Sequence, residues 1–161
     1  MWSLIILSHF LMLLSFTMLS FSTLSGHFFL NEMGVLTLKY FSIYAVIIYV
    51  FTQSLILFLI ITINKNIKQV IQKNALSIND EKYSLFKYRM HMHTSLNLLF
   101  VTVISILYGA VHTGIMSLKI HNLLFLIILF HYAYNIYIQY QCFKRIIKLI
   151  SRVNGIIVSK L

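Results

Sequence analysis

The residues of this chain most able to carry chemistry are its seven histidines, because the sequence has only three acidic residues and one cysteine. Neutral imidazole binds zinc, copper, iron and nickel, and it also accepts and donates protons near neutral pH. The single cysteine, Cys142, excludes an intrachain disulfide and a metal cluster built on cysteines. The positions of the histidines along the chain therefore decide which chemistry is open to them.

Two of the histidines, His9 and His131, lie inside long apolar stretches. An ionisable residue in such a stretch is a functional hypothesis by default. At similar depth on facing helices, the two imidazoles could ligate the iron of haem b from both sides. The structural alternative is a neutral imidazole that is hydrogen-bonded to Tyr132, Tyr134 or Asn135 in a packed bundle. Both interpretations stay open, and His9 and His131 are the candidate cofactor ligands.

Three further histidines, His27, His112 and His121, lie at the ends of apolar stretches, and Glu32 follows soon after the first of them. If these ends share one side of a membrane, three imidazoles and a carboxylate lie at one depth and could bind a divalent metal. The alternative is that they are ordinary polar boundary residues. We treat the three histidines as candidate metal ligands.

The remaining pair, His91 and His93, alternates with Met90 and Met92. Thioether and imidazole both bind copper. In a helix, however, residues two apart point about 200° away from each other, so one ion could use both imidazoles only in an extended segment. The alternative is a polar flank at the start of an apolar stretch.

Composition indicates the kind of structure that holds these histidines. Apolar residues make up 60% of the 161-residue chain and charged residues 10%, and there is no proline. Soluble domains carry about 25% charged residues. A helix of about 20 apolar residues crosses a bilayer, and four stretches have that length: about 2–24, 40–63, 94–116 and 123–141. We predict an all-α integral membrane protein with four transmembrane helices.

The four helices are expected to form two hairpins. An 80-residue offset places Gly34 on Gly114 and Leu38-Lys39 on Leu118-Lys119. This weak repeat is what a duplicated hairpin would show, although apolar composition alone supplies some of the matches. Within the bundle, we expect Gln53 to face the interior and Gly109 to permit close helix approach.

The basic residues divide the predicted protein into two sides. Of 13 lysines and arginines, all except Lys39 and Lys119 lie in the connection 64–92 or the tail 143–161. The positive-inside rule places these segments, and both termini, in the cytoplasm of a bacterial cell or the matrix of an organelle. The residues 64–74 and 143–153 continue a helical pattern of Ile and Val beyond the membrane. Without a folded soluble face, the charge favours the lipid bilayer and not nucleic acid.

No catalytic set is recognisable in the chain, which lacks a phosphate-binding loop, an HExxH motif and an acidic residue inside a predicted span. Small size and apolar spans favour a non-catalytic or assembly subunit of a larger membrane complex, respiratory or secretory. Its expected partners are other membrane subunits or further copies of itself. The alternatives are a small haem b- or metal-binding membrane protein and a small channel or transporter.

Overall fold

The structure is a computed structural model that describes residues 2–28, 35–73 and 81–158. These residues form four α-helices: α1 at Trp2–Phe28, α2 at Val35–Lys73, α3 at Glu81–His112 and α4 at Leu118–Val158. Each contains a stretch long and apolar enough to cross a membrane, at Ser3–Leu24, Phe41–Lys73, Ser84–Val111 and Leu118–Ile156. The described residues contain no strand. The predicted all-α membrane protein of four helices is confirmed.

Three of the helices extend well beyond their predicted spans at the end of the bundle where the chain begins. α2 continues to Lys73 and α3 begins at Glu81, so most of the connection 64–92 is helical and not a loop. α4 likewise runs through most of the basic tail to Val158. Lysine, arginine and glutamine are good helix formers, and Ile and Val recur among them at helical spacing. The predicted helical continuation of residues 64–74 and 143–153 is confirmed except at 74, which lies outside the described residues.

The turn between α3 and α4 ends the third helix four residues earlier than predicted. α3 stops at His112, and Gly114 has a φ of 75°, the left-handed conformation that commonly follows a helix. The backbone N–H of Ile115 donates to the carbonyl of Ala110 at 2.9 Å. At the start of α4, the Ser117 hydroxyl accepts the backbone N–H of Ile120 at 3.3 Å, which caps the new helix.

The four helices form a ring in which each packs against its neighbours along the chain, and α1 also packs against α4. The two most extensive pairings are α1 with α2 and α3 with α4, which confirms the two hairpins. Whether one hairpin is a copy of the other stays a prediction. The prediction for Gly109 was wrong: this residue is exposed, and a Cβ added to it would meet no atom within 4 Å.

Two apolar clusters form the core, one above the other along the bundle. The cluster nearer the chain's beginning includes Ile5, Met12, Ile56, Ile60, Met90, Ile138 and Phe143. The cluster nearer the α3–α4 turn includes Leu19, Ala45, Val101, Ile104, Phe125 and Ile128. On every helix, polar side chains lie between the residues of one cluster and those of the other.

Candidate functional site

Buried polar side chains from all four helices meet between the two apolar clusters. We call this set the polar layer, and it consists of Ser15, Tyr49, Gln53, Thr94, Asn97, Tyr132, Asn135 and Gln139. All eight side chains are fully buried. Their position follows from the sequence, since on α1 Ser15 lies between Met12 of one cluster and Leu19 of the other, and the other three helices repeat this order.

Gln53 is the centre of the layer, and the prediction that it faces the bundle interior is confirmed. Its Nε2 donates to the Tyr132 hydroxyl at 3.0 Å. The Tyr132 and Ser15 hydroxyls lie 2.6 Å apart, and Ser15 donates to the backbone carbonyl of Met12 at 3.1 Å. Tyr132 therefore donates to Ser15. This chain of hydrogen bonds joins α1, α2 and α4.

The carbonyl oxygen of Gln53 joins the layer to the third helix. It accepts from Gln139 Nε2 at 2.7 Å and from Asn135 Nδ2 at 3.4 Å. The Thr94 hydroxyl accepts from Gln139 Nε2 at 3.0 Å and donates to Asn135 Oδ1 at 3.1 Å. Among the described side chains, Gln139 Oε1 and Arg145 Nε are buried without a hydrogen-bond partner.

The polar layer holds the helices and offers no reacting group. Its members are neutral hydroxyls and amides, and nearly all of their hydrogen-bonding atoms are used by one another. Buried networks of this kind fix how helices are rotated against each other, because a turned helix would place polar groups in hydrocarbon. The layer therefore explains the arrangement of the bundle but does not itself supply a catalytic or binding site.

A branch of the layer leads outward to two histidines between α3 and α4. The Tyr49 hydroxyl donates to Asn97 Oδ1 at 2.5 Å, and Asn97 Nδ2 lies 2.9 Å from His131 Nδ1. The other nitrogen of His131, Nε2, lies 3.4 Å from His93 Nδ1. Both imidazoles are half-buried. This histidine pair is the point where the buried hydrogen-bond network meets the outer surface.

His9 is not part of this arrangement. Its Nδ1 lies 2.7 Å from the backbone carbonyl of Ile5, and its ring contacts Tyr140 and Phe143 with centroids 5.9 and 5.2 Å away. Tyr140 follows His131 by nine residues, about 13 Å of helical rise. The structure thus does not bring His9 and His131 together, and haem ligation by this pair stays a prediction without geometric support.

The predicted metal ligands are described only in part. His121 is buried, its Nε2 donates to the backbone carbonyl of Ile104 at 3.0 Å, and its ring lies 5.4 Å from that of Tyr108. The side chains of His27 and His112, and the whole of Glu32, lie outside the described residues. Within the part that is described, no three His, Cys, Asp or Glu side chains are grouped to hold a metal. The three-histidine site stays a prediction.

The structure separates His91 from His93. Both lie in the regular part of α3, so the extended segment that one shared copper ion would require is absent there. His93 instead contacts His131 and Tyr134 of α4. None of the hydrogen-bond partners predicted for His131 (Tyr132, Tyr134 or Asn135) is the one observed, since its partners are Asn97 and His93. The depths at which polar residues recur on neighbouring helices were the signal that could have indicated this grouping.

Aromatic polar residues continue from the histidine pair across the outside of α4. They recur every three residues, and we call them the outer stripe: His131, Tyr134, Tyr137 and Tyr140. The three tyrosines are 51%, 58% and 48% exposed. None of their hydroxyls forms a hydrogen bond with another residue that the structure describes. The tyrosines of the outer stripe therefore present a row of unused hydroxyl groups.

Comparison with known proteins finds nothing similar to this chain: no family model, no curated protein and no solved structure matches it. The polar layer, in which nearly every group is paired, thus contrasts with the tyrosines of the outer stripe, whose hydroxyls have no partner among the described residues.

Proposed function

We propose that this chain is a non-catalytic membrane subunit that docks into a larger membrane complex through the outer face of α4. The observation that carries the proposal is the outer stripe. Lipid chains offer no hydrogen-bond partner, whereas a neighbouring transmembrane helix does. The three tyrosines exposed on the outer face of α4 are therefore better matched to a protein neighbour than to lipid.

The depth of the stripe supports this choice over an ordinary aromatic belt. Tyrosine at a membrane boundary places its hydroxyl among the lipid headgroups. Tyr134, however, lies two residues from Tyr132, which contacts Ser15 of α1. Ser15 follows the start of its span at Ser3 by 12 residues, about 18 Å of rise, which is more than half of a hydrocarbon core of about 30 Å. In our proposal, the Tyr134 hydroxyl therefore lies within the hydrocarbon core and not among the headgroups.

The polar layer supports a holding function for the bundle itself. Most of its hydrogen bonds are made inside the layer, and they join all four helices. A bundle closed in this way serves as a stable scaffold around which other subunits assemble. Respiratory and secretory complexes are the assemblies that we favour, and the partner is another membrane subunit or a second copy of this chain.

The distribution of charge supports an orientation for the subunit. The helix ends on the side where the chain begins contain most of the described basic residues: Lys65, Lys68, Lys73, Lys87, Arg89, Lys144, Arg145, Lys148 and Arg152. Lys119 lies at the start of α4 on the other side. In our proposal, the basic side faces the cytoplasm of a bacterial cell or the matrix of an organelle, as the positive-inside rule predicts.

Site-specific photocrosslinking in the native membrane tests the docking face. A photoreactive phenylalanine analogue replaces Tyr134 in one sample and Tyr44 in the control, a 61%-exposed tyrosine on α2. We expect Tyr134 to give one discrete crosslinked product with a membrane protein, which mass spectrometry identifies, and Tyr44 to give lipid adducts. Lipid adducts alone at both positions, or the same protein product from both, would contradict the proposal.

A further inference from the structure

We propose that His93 and His131 together bind one transition-metal ion of the zinc or copper type. The two residues come from adjacent helices, and their facing nitrogens, His93 Nδ1 and His131 Nε2, lie 3.4 Å apart. The site forms within one chain, so it does not rest on the proposed docking of a partner.

The separation of the two nitrogens matches the spacing of two ligands on one ion. A tetrahedral zinc with Zn–N bonds of about 2.0–2.1 Å places two ligand nitrogens about 3.3–3.4 Å apart. Hydrogen bonds donated by an N–H group are usually shorter than 3.4 Å; for N–H···O bonds the donor–acceptor distance is about 2.7–3.2 Å. The imidazoles are thus somewhat far apart for a good hydrogen bond and have the separation of two ligands on one ion. Their rings face each other with centroids 5.6 Å apart, so both rings must tilt for their nitrogens to point at an ion beside the line that joins them.

Through its hydrogen bond to His131 Nδ1, Asn97 can determine whether His131 Nε2 is free to bind a metal. In the hydrogen-bond network described above, the Asn97 amide donates to His131 Nδ1, and the His131 proton is on Nε2. With the amide turned over, Asn97 Nδ2 donates to the Tyr49 hydroxyl and Asn97 Oδ1 accepts a proton from His131 Nδ1. That exchange leaves His131 Nε2 free to ligate, and a hydrogen bond of this kind commonly orients a metal-bound histidine. The cost is the hydrogen bond that the Tyr49 hydroxyl donates to Asn97 Oδ1, together with the long contact of 3.4 Å between Asn97 and the backbone carbonyl of Ile128.

The type of ion follows from the ligands and their surroundings. Imidazole suits zinc and copper, and copper binds more tightly than the other common divalent ions of its row. A single ion requires only that the two rings tilt toward it, whereas a haem macrocycle would have to be inserted between α3 and α4. Because both histidines are half-buried, the remaining coordination positions open to the outer surface of the bundle, where a ligand from outside this chain could fill them.

Metal binding to the full-length protein, purified in detergent with its affinity tag removed, tests the inference. The protein is loaded in separate experiments with Zn²⁺ and with Cu⁺, and the bound metal is counted by elemental analysis after gel filtration. We expect about one tightly bound ion per chain, with a first shell that contains two imidazoles by X-ray absorption spectroscopy. The metal that saturates the site at the lower free concentration is the preferred one.

Four variants assign the ligands. We expect His93→Ala and His131→Ala to weaken binding at least tenfold, and His91→Ala and His9→Ala to leave it unchanged. His91 is the matched control, since it is a half-buried histidine on the same helix that does not contact His131. His93→Ala is decisive if His131→Ala fails to fold, because the only hydrogen bond of His93 among the described residues is the one to His131.

Three results would overturn the inference. The first is wild-type protein that retains neither metal, and the second is binding that His93→Ala does not weaken. The third is binding that falls equally in His91→Ala, which would indicate adsorption to surface histidines.

Discussion

The polar layer and the histidine pair are two parts of one hydrogen-bond network, and they differ in burial and in completeness. The layer is fully buried, and most of its hydrogen bonds between side chains are 2.5–3.1 Å long. The pair is half-buried, and its two imidazoles are 3.4 Å apart. Nearly complete pairing in the interior stabilises a fold, whereas a long and partly exposed hydrogen bond near the surface can be exchanged for a bound ion. The difference separates the residues that hold the bundle from those that meet something outside it.

Removing the centre of the layer should have the largest effect on stability. Gln53→Ala deletes the partner of Tyr132, Asn135 and Gln139 and leaves their polar groups buried. We expect the free energy of unfolding in detergent to fall by about 2–4 kcal/mol, from lost hydrogen bonds and unsatisfied groups. Ser54→Ala, at the exposed neighbouring position, is the control. If the two substitutions cost the same, the layer is not what holds the helices.

Removing one hydroxyl from the polar layer should lower stability less than removing Gln53 does. It should lower stability more than removing a tyrosine hydroxyl from the outer stripe. Tyr132→Phe removes the hydrogen bonds to Ser15 and Gln53 and keeps the ring. We expect a loss of about 1–2 kcal/mol by thermal or denaturant unfolding. Tyr137→Phe on the outer stripe should change the free energy of unfolding of the isolated protein by less than about 0.5 kcal/mol. Equal losses would remove the distinction between layer and stripe.

Much of the fold could be predicted from the sequence, because the length of an apolar segment is decided by the thickness of a bilayer. The four helices and their hairpin pairing follow from that constraint. The helix ends were less predictable: α3 ends at His112 because Gly114 turns the chain, although apolar residues continue to Met116.

The site was predictable only in part. Gln53 was expected to face the interior because few polar groups interrupt its span. The pairing of His93 with His131 depends on how α3 and α4 are rotated and shifted against each other, and an apolar helix has too weak a polar face to indicate this. For the same reason, the sequence did not show that Ser15, Thr94 and Asn97 would meet residues on other helices.

A substitution that touches neither region should raise stability slightly. Gly109 is helical and exposed, with no atom within 4 Å of an added Cβ. Alanine at this position restricts the unfolded chain, so Gly109→Ala should stabilise the protein by about 0.5–1 kcal/mol in the same unfolding assay. Gly114→Ala should destabilise it, since the φ of 75° disfavours a side chain. Within the more stable Gly109→Ala background, weakened layer variants become easier to compare.

The smallest effect on the metal-free protein is expected at the histidine pair. His93→Ala removes one long hydrogen bond from a half-buried side chain. Interhelical hydrogen bonds average about 0.6 kcal/mol in membrane bundles, and this one is long, so we expect less than about 0.5 kcal/mol of destabilisation without metal. If His93→Ala lowered the free energy of unfolding as much as Tyr132→Phe does, His93 would belong with the residues of the polar layer that hold the helices.

The contrast between the two regions is tested most directly by zinc-dependent unfolding of the wild type, His93→Ala and Tyr132→Phe. A ligand present at 100 times its dissociation constant stabilises a folded protein by about 2.7 kcal/mol. We predict that saturating zinc raises the unfolding temperature of the wild type and of the less stable Tyr132→Phe, and leaves that of His93→Ala unchanged. Equal zinc-induced shifts in all three proteins, or none in any of them, would contradict the account.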